Sequence, residues 1–224
     1  MFTSDLACRE ARLLWSLEAG GATAWTHWEA AGALGLAGAL MPVQETGSDR
    51  RTTGLRAPEA WGIDGERRTI GPVTGRPVRT LGLPDGSQQT GLLFDGATPS
   101  AAAAALEHVS RDTLCLIQLD ILLRPRLRDA WRVADALIAE ATAPFDAASA
   151  LIGTPLDVAD QLGRYVAGGL CRFVLVPREP DTTMVAVAEM IVPLTHRIRM
   201  NPPQSAFNLP KRKAEMERVG IGMV

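Results

Sequence analysis

From residue 99 onward the chain alternates apolar runs with amphipathic stretches. "TLCLIQLDILL" (Thr113 to Leu123) is apolar almost throughout, the pattern of a strand covered on both faces. Leu127 to Ala141 carries apolar residues at helical spacing, with Trp131, Ala134, Leu137 and Ile138 on one face. "SALIG" predicts a strand, Pro155 to Ala167 a helix, "CRFVLVP" a strand, and Thr182 to His196 a final helix. Just upstream, Pro99 to Val109 reads as a helix with proline in its first turn. Strand–helix alternation with short connections implies parallel strands joined by crossover helices.

The front of the chain is less regular. Ser4 or Asp5 can cap a helix reaching Ala19, with Leu6, Leu13, Leu14 and Leu17 on one side and Gly20-Gly21 as its stop. "ATAWT" (Ala22 to Thr26) predicts a short buried strand, and Trp28 to Met41 a second helix. Pro42 to Pro58 is polar and aperiodic, which predicts a long loop, and "APEAWG" a helical turn. "RRTIGPVTGRPVRTLGL" alternates and carries turn residues, predicting a strand or hairpin and then a strand at Pro77 to Leu83; "TGLLFDG" is a further short strand. The expected organisation is a single α/β domain over 1–200 and a tail over 201–224, rich in proline and mixed charge, that wraps, docks on a partner or stays loose.

One unit is complete in itself: "GTPLDVADQLGRYVAGGLCRFVLVP", Gly153 to Pro177. Thr154 is placed to cap a helix and Pro155 takes the first helical position, where its missing N–H does no harm. Asp157, three residues after the cap, completes a capping box and faces the positive end of the helix dipole. Val158, Leu162, Tyr165 and Val166 then share the sheet-facing side, and Gly168-Gly169 allow a left-handed stop before the strand.

Composition narrows the classes. A chain of 224 residues, 46% hydrophobic and 21% charged, can bury a sizeable core without staples. The net charge of −2 argues against a general nucleic-acid or membrane-surface binder. No run of ~18 uninterrupted apolar residues predicts a membrane span. No secretory leader is read at the N-terminus, so a cytoplasmic address is expected. Cys8, Cys115 and Cys171 are widely spaced and outside any CxxC, which predicts neither a disulfide framework nor a metal site. GxGxxG, Walker A, nucleophile-elbow, HExxH and EF-hand patterns are all absent from the sequence.

Three segments, in order, resemble the luciferase-like, flavin-dependent monooxygenase family. "FDAASALIGTPLDVADQLGRYVAGGLCRFVLVP" is similar to the family's C-terminal "(I/V)GTP-x-x-VA-x-x-L" helix, its glycine turn and the "F-x-L" strand. "IGPVTGRPVRTLGL" resembles the "GRPV" segment of the nitrilotriacetate and dibenzothiophene-sulfone monooxygenase branch. "EARLLWSLEAGGATAWTHW" resembles that branch's "LS-x-GRAGWN" stretch, with Trp25 on its Trp. The resemblance implies a (β/α)8 TIM-type barrel with parallel strands. Members of that branch carry further strand–helix units upstream of the first match, and a full barrel takes ~250 residues. The expectation is therefore a shortened or incomplete barrel, whose open strand edges would be covered in a homodimer or by a partner subunit.

The same resemblance implies function. Reduced FMN, supplied by a separate flavin reductase, would react with O2 to oxygenate a small organic substrate. A deazaflavin (F420)-dependent oxidoreductase, or a degenerate non-catalytic flavin-binding or partner subunit, are the alternatives. Carried over onto this chain, Trp25 and Thr26 line the cofactor and Gly82, Gly86 and Ser87 cradle its phosphate in "LGLPDGSQQ"; the alternative for that segment is a plain tight turn. His27, next to them, is the candidate acid–base or flavin-bonding residue; the alternative is an ordinary solvent-edge histidine. Asp120, inside an apolar strand, is a costly buried carboxylate that calls for a partner such as Arg124 or Arg126, or for a catalytic role. Arg50 and Arg51 offer charge on the long loop.

Overall fold

The computed structural model describes residues 11–17, 22–41, 59–81, 88–140, 145–179 and 181–200. The elements, in chain order, are β1 (Arg12–Ser16), α1 (Ala22–Ala33), β2 (Gly38–Met41), β3 (Glu59–Ile63), β4 (Arg68–Ile70), β5 (Val73–Thr80), β6 (Thr90–Phe94), α2 (Pro99–Leu106), β7 (Leu114–Leu123), α3 (Leu127–Glu140), β8 (Leu151–Gly153), α4 (Pro155–Ala167), β9 (Arg172–Pro177), α5 (Met184–Met190) and α6 (Val192–Met200).

Seven strands close into a barrel in the order β3-β2-β1-β9-β7-β6-β5, with β5 pairing back onto β3. Every neighbouring pair in the ring is parallel except the two made by β5, which runs antiparallel to both β3 and β6. β4 hangs outside the ring as the hairpin partner of β5. β8 pairs only with the end of β7, so β9 reaches β7 directly and β8 contributes no ring strand. The expected all-parallel barrel is thus corrected in one strand, and the expected open edges are corrected by closure. Closure removes unpaired backbone along the ring, which a protein otherwise has to hide.

The barrel interior is packed. Leu14, Leu40, Trp61, Val78, Leu93, Leu116 and Val174, one from each ring strand, form a single buried cluster. A barrel of this strand number is filled by side chains and leaves no channel. The outward-facing residues, among them Leu13, Trp15, Ile117, Leu119, Phe173 and Leu175, pack with Trp28 and Ala31 of α1, Ala102 and Ala105 of α2, and Val158, Leu162 and Tyr165 of α4. Strands covered on both faces lose their alternation, which is why β1 and β7 read as continuous apolar runs.

The second half follows its sequence closely. α4 begins and ends where predicted: Thr154 accepts from the Asp157 amide, Asp157 accepts from the Thr154 amide at 2.9 Å, and Gly169 takes a φ of 98° after the helix. The final helix is broken at Ile191 into α5 and α6. α3 spans its expected residues, but its Trp131 and Ile138 are exposed and the buried contacts are made by Ala130 and Ala134.

The first half departs more. "RLLWS" is a strand and not the end of a helix, because both its faces are covered inside the barrel wall. "ATAWT" opens α1 instead of forming a strand, and the predicted helix over 28–41 stops at Ala33, giving way to β2. "EAWGI" is β3 and not a helical turn. β2 and β3 approach closely at Gly38, where an added Cβ would lie 1.8 Å from the Glu59 carbonyl oxygen. Only glycine permits that contact.

Candidate functional site at the barrel mouth

Strand alternation carries the interior-facing positions upward from the apolar ring. Above Leu116 on β7 come Gln118 and then Asp120; above Leu14 on β1 comes Ser16; above Leu93 comes Asp95, just past β6; and above Val174 come Val176 and then Arg178, just past β9. β5 runs the other way, so Arg76, before Val78, sits at this same end. The C-terminal ends of the parallel strands therefore converge on a polar mouth. In (β/α)8 barrels the corresponding end of the strands carries the chemistry.

Two carboxylates anchor the mouth. Asp120 lies 2.8 Å from Arg178 Nε. Asp95 is held by Arg76 at 2.7 Å and by Arg67 at 2.9 Å. Burial pushes the Asp120 carboxyl above the ordinary carboxylate range; the Arg178 guanidinium pulls against that, and the charge of Asp146 adds to it. Asp146 itself accepts from the Ala148 amide and the Ser149 hydroxyl, both at about 3 Å. Asp120 is thus the mouth carboxyl whose proton affinity burial raises.

The segment bearing Arg178 is pinned from behind. Arg124 makes a two-pronged ion pair with Glu179 and reaches Asp181 at 3.2 Å. Thr182 donates to Glu179 at 2.5 Å and accepts from the Leu123 amide at 3.1 Å. This corrects the expected pairing: Arg124 serves Glu179, and Arg178 serves Asp120. Val176 stands opposite Asp120, so Arg178 is the next interior-facing position on the neighbouring strand.

The other end is sealed by a different charge cluster. Glu59 receives Arg12 at 2.7 Å, Arg172 at 3.4 Å and the Trp61 indole N–H at 2.8 Å, while the Trp28 indole N–H donates to its carbonyl. In (β/α)8 barrels the corresponding end is the one associated with stability.

The sequence-predicted residues lie elsewhere. Thr26 and His27 are exposed on α1, outside the barrel. Trp25 also falls on α1, with its side chain outside the described residues. Gly82, Gly86 and Ser87, like Arg50 and Arg51, lie outside the described residues. Leu81 and Gln89, which bracket the glycine segment, sit where β5 ends and β6 begins, the end opposite the mouth. Sequence reasoning singled out Asp120 but missed Asp95, Arg76, Gln118, Ser16 and Arg178. Counting every second residue outward from each apolar run would have found them, had the strand parity been known.

Among the described residues no cluster of three or more His, Cys, Asp or Glu is arranged to hold a metal ion, and no helix is long and apolar enough to cross a membrane. A hollow of about 600 Å³ lies beneath the β4–β5 hairpin beside His108. A groove of about 320 Å³ runs between Trp131 of α3 and Asp160, Gln161 and Tyr165 of α4. Neither is lined by Asp120 or Arg178.

No protein-family model and no curated protein matches the sequence. Among solved structures, the chain is similar to the coenzyme F420-dependent tetrahydromethanopterin reductase of Methanopyrus kandleri, with a TM-score of 0.36 and 10% identity. The match covers 46% of this chain and 44% of that one, so it spans less than half the length of the reductase. The chain is mixed α/β, and its closed, mostly parallel, seven-stranded barrel opens on a charged mouth.

Proposed function

We propose that the protein is an oxidoreductase that binds a flavin-type cofactor at the mouth of the barrel, as the sequence resemblance to luciferase-like enzymes implies. The observation that supports this reading is Asp120, a half-buried carboxylate with a raised proton affinity, facing inward at the C-terminal end of a mostly parallel barrel. The groups that would hold it are Arg178 and Arg76, guanidiniums of the type that binds phosphate and here ion-paired to Asp120 and Asp95, with Gln118 and Ser16 as half-buried polar side chains for the polar edge of a ring. The cofactor, when bound, would supply the redox chemistry. The chain's own residues would orient it, exclude water, and hold or release a proton at the Asp120 carboxyl.

In the finer reading the cofactor is reduced FMN from a separate reductase and the reaction is a monooxygenation; F420 with simple hydride chemistry is the variant. An anaerobic titration with FMN, oxidised and reduced, and then with F420, read by absorbance and fluorescence, tests both. Micromolar binding that is weakened at least tenfold by Arg178→Met is the expected result. No binding of any of the three by folded protein would overturn the reading.

A second reading is a non-catalytic partner subunit. Leu127, Trp131 and Ile138 favour it, since they expose a line of apolar surface on α3. Mass measurement in solution separates the two: a partner-type role predicts a dimer or hetero-complex that Trp131→Glu disperses, while cofactor binding stays unaffected.

A further inference from the structure

We propose that Cys115 and Cys171 form a redox pair that closes a reversible disulfide between β7 and β9. The pairing register places Ile117 opposite Phe173. Continued two residues back beyond the paired stretch, that register sets Cys115 across from Cys171, which directly precedes β9. Parallel neighbours lie about 4.8 Å apart, inside the Cα separation of about 4.4–6.8 Å that a disulfide spans. Both side chains belong to the outer face of the barrel. Cys115 shares the parity of Ile117 and Leu119 and packs on the same cluster; Cys171 shares the parity of Phe173 and Leu175. Neither is tied up in another disulfide, and both are only partly buried. The Cys171 carbonyl accepts from the Arg12 amide at 2.6 Å, which holds the residue in line with the sheet.

The environment sets the order of events. Burial pushes the Cys115 thiol up to about 11, and the neighbouring Cys171 adds to the shift, so the two sulfurs sense each other. Cys115 then carries little thiolate near neutrality, and the thiolate is the attacking species, so the first attack is assigned to Cys171. The Cys171 thiolate attacks one sulfur of a low-molecular-weight disulfide, expels one thiol and leaves a mixed disulfide. Cys115 gives its proton to solvent, attacks the Cys171 sulfur and expels the second thiol. The protein loses two electrons and two protons, and the external disulfide is reduced to two thiols. The bond ties β7 to β9 and leaves the barrel mouth untouched.

Cys8 lies outside the described residues, so the test uses the full chain carrying Cys8→Ser. The reduced protein is incubated with oxidised glutathione under native conditions, then analysed by thiol count, intact mass and peptide mapping. The expected result is loss of both thiols, a mass lower by about 2 Da, and a cross-linked peptide pair joining Cys115 to Cys171. Adding Cys115→Ser should stop the reaction at a glutathione adduct on Cys171. Persistence of both thiols, or a mixed disulfide that never resolves in the protein holding both cysteines, would overturn the proposal.

Discussion

Replacing Arg178 by Met tests the mouth most directly. The change removes the counter-charge of Asp120 and keeps most of the side-chain volume. Breaking a fully buried ion pair costs about 3–5 kcal/mol, because the surviving charge is left without compensation. Here the side chains are 17% and 30% exposed, so water recovers part of that, and about 2–3 kcal/mol is expected near neutral pH. The pH dependence follows from the sign of the shift. The Asp120 carboxyl already sits above its ordinary value of 3.8 through burial, and losing Arg178 moves it further up. The folded state then holds the proton more tightly than the unfolded state. The cost is therefore present above the folded-state pKa and shrinks as the pH falls through it, since a neutral Asp120 needs no counter-charge. Urea unfolding of wild type, Arg178→Met, Asp120→Asn and the double variant, across the acidic to neutral range, measures this. Asp120→Asn should restore most of the stability that Arg178→Met removes. A loss below about 0.5 kcal/mol, a loss that does not shrink on acidification, or a double variant no better than Arg178→Met would each refute the reasoning.

Three further outcomes follow from single contacts. Gly38→Ala should cost more than the usual ~1–3 kcal/mol of overpacking, because its Cβ would meet the Glu59 backbone, which has no rotamer to move into; a variant within ~1 kcal/mol of wild type in urea would contradict this. Thr154→Ala should cost about 1 kcal/mol by removing the α4 capping box, read as a shift in the urea midpoint at unchanged slope. The buried Tyr165 hydroxyl donates to the Ala97 carbonyl at 2.6 Å, and burial, with the Asp146 charge second, pushes its pKa up to about 12. The stability it contributes is fully present below the ordinary value of 10.0 and is lost as the pH rises toward about 12. Wild type should therefore lose about 2 kcal/mol more than Tyr165→Phe over that interval, and parallel unfolding curves would disprove it.

The unit from Gly153 to Pro177 was legible because its instructions are local. A cap, a proline at the first helical position, a reciprocal aspartate and a glycine stop all act within a few residues, and α4 forms between the limits they set. β7 and β9 were legible as strands for a related reason: short apolar runs between turn signals leave little else to be. "RLLWS" and "ATAWT" were not. Their apolar residues suit a strand or a helix equally, and the choice came from which neighbours cover them. α3 makes the same point. Its periodicity identified residues that share a face, but Trp131 and Ile138 are left exposed because nothing among the described residues packs over that part of the helix.

For the mouth, the chain order alone marked Asp120 as a carboxylate in an apolar strand, with a cost to be met. It could not say by whom. Arg124, four residues away, was the local guess, yet it is drawn off by Glu179, and the partner is Arg178 on the adjoining strand. Strand pairing is set by closure of the whole ring, including the antiparallel return of β5 onto β3, and no short segment encodes that. Amino-acid order determined the elements whose hydrogen bonds close within a turn or whose residues must be dry. Tertiary structure decided which strands became neighbours and thus which side chains meet at the mouth, because a barrel's register is a property of all its strands at once.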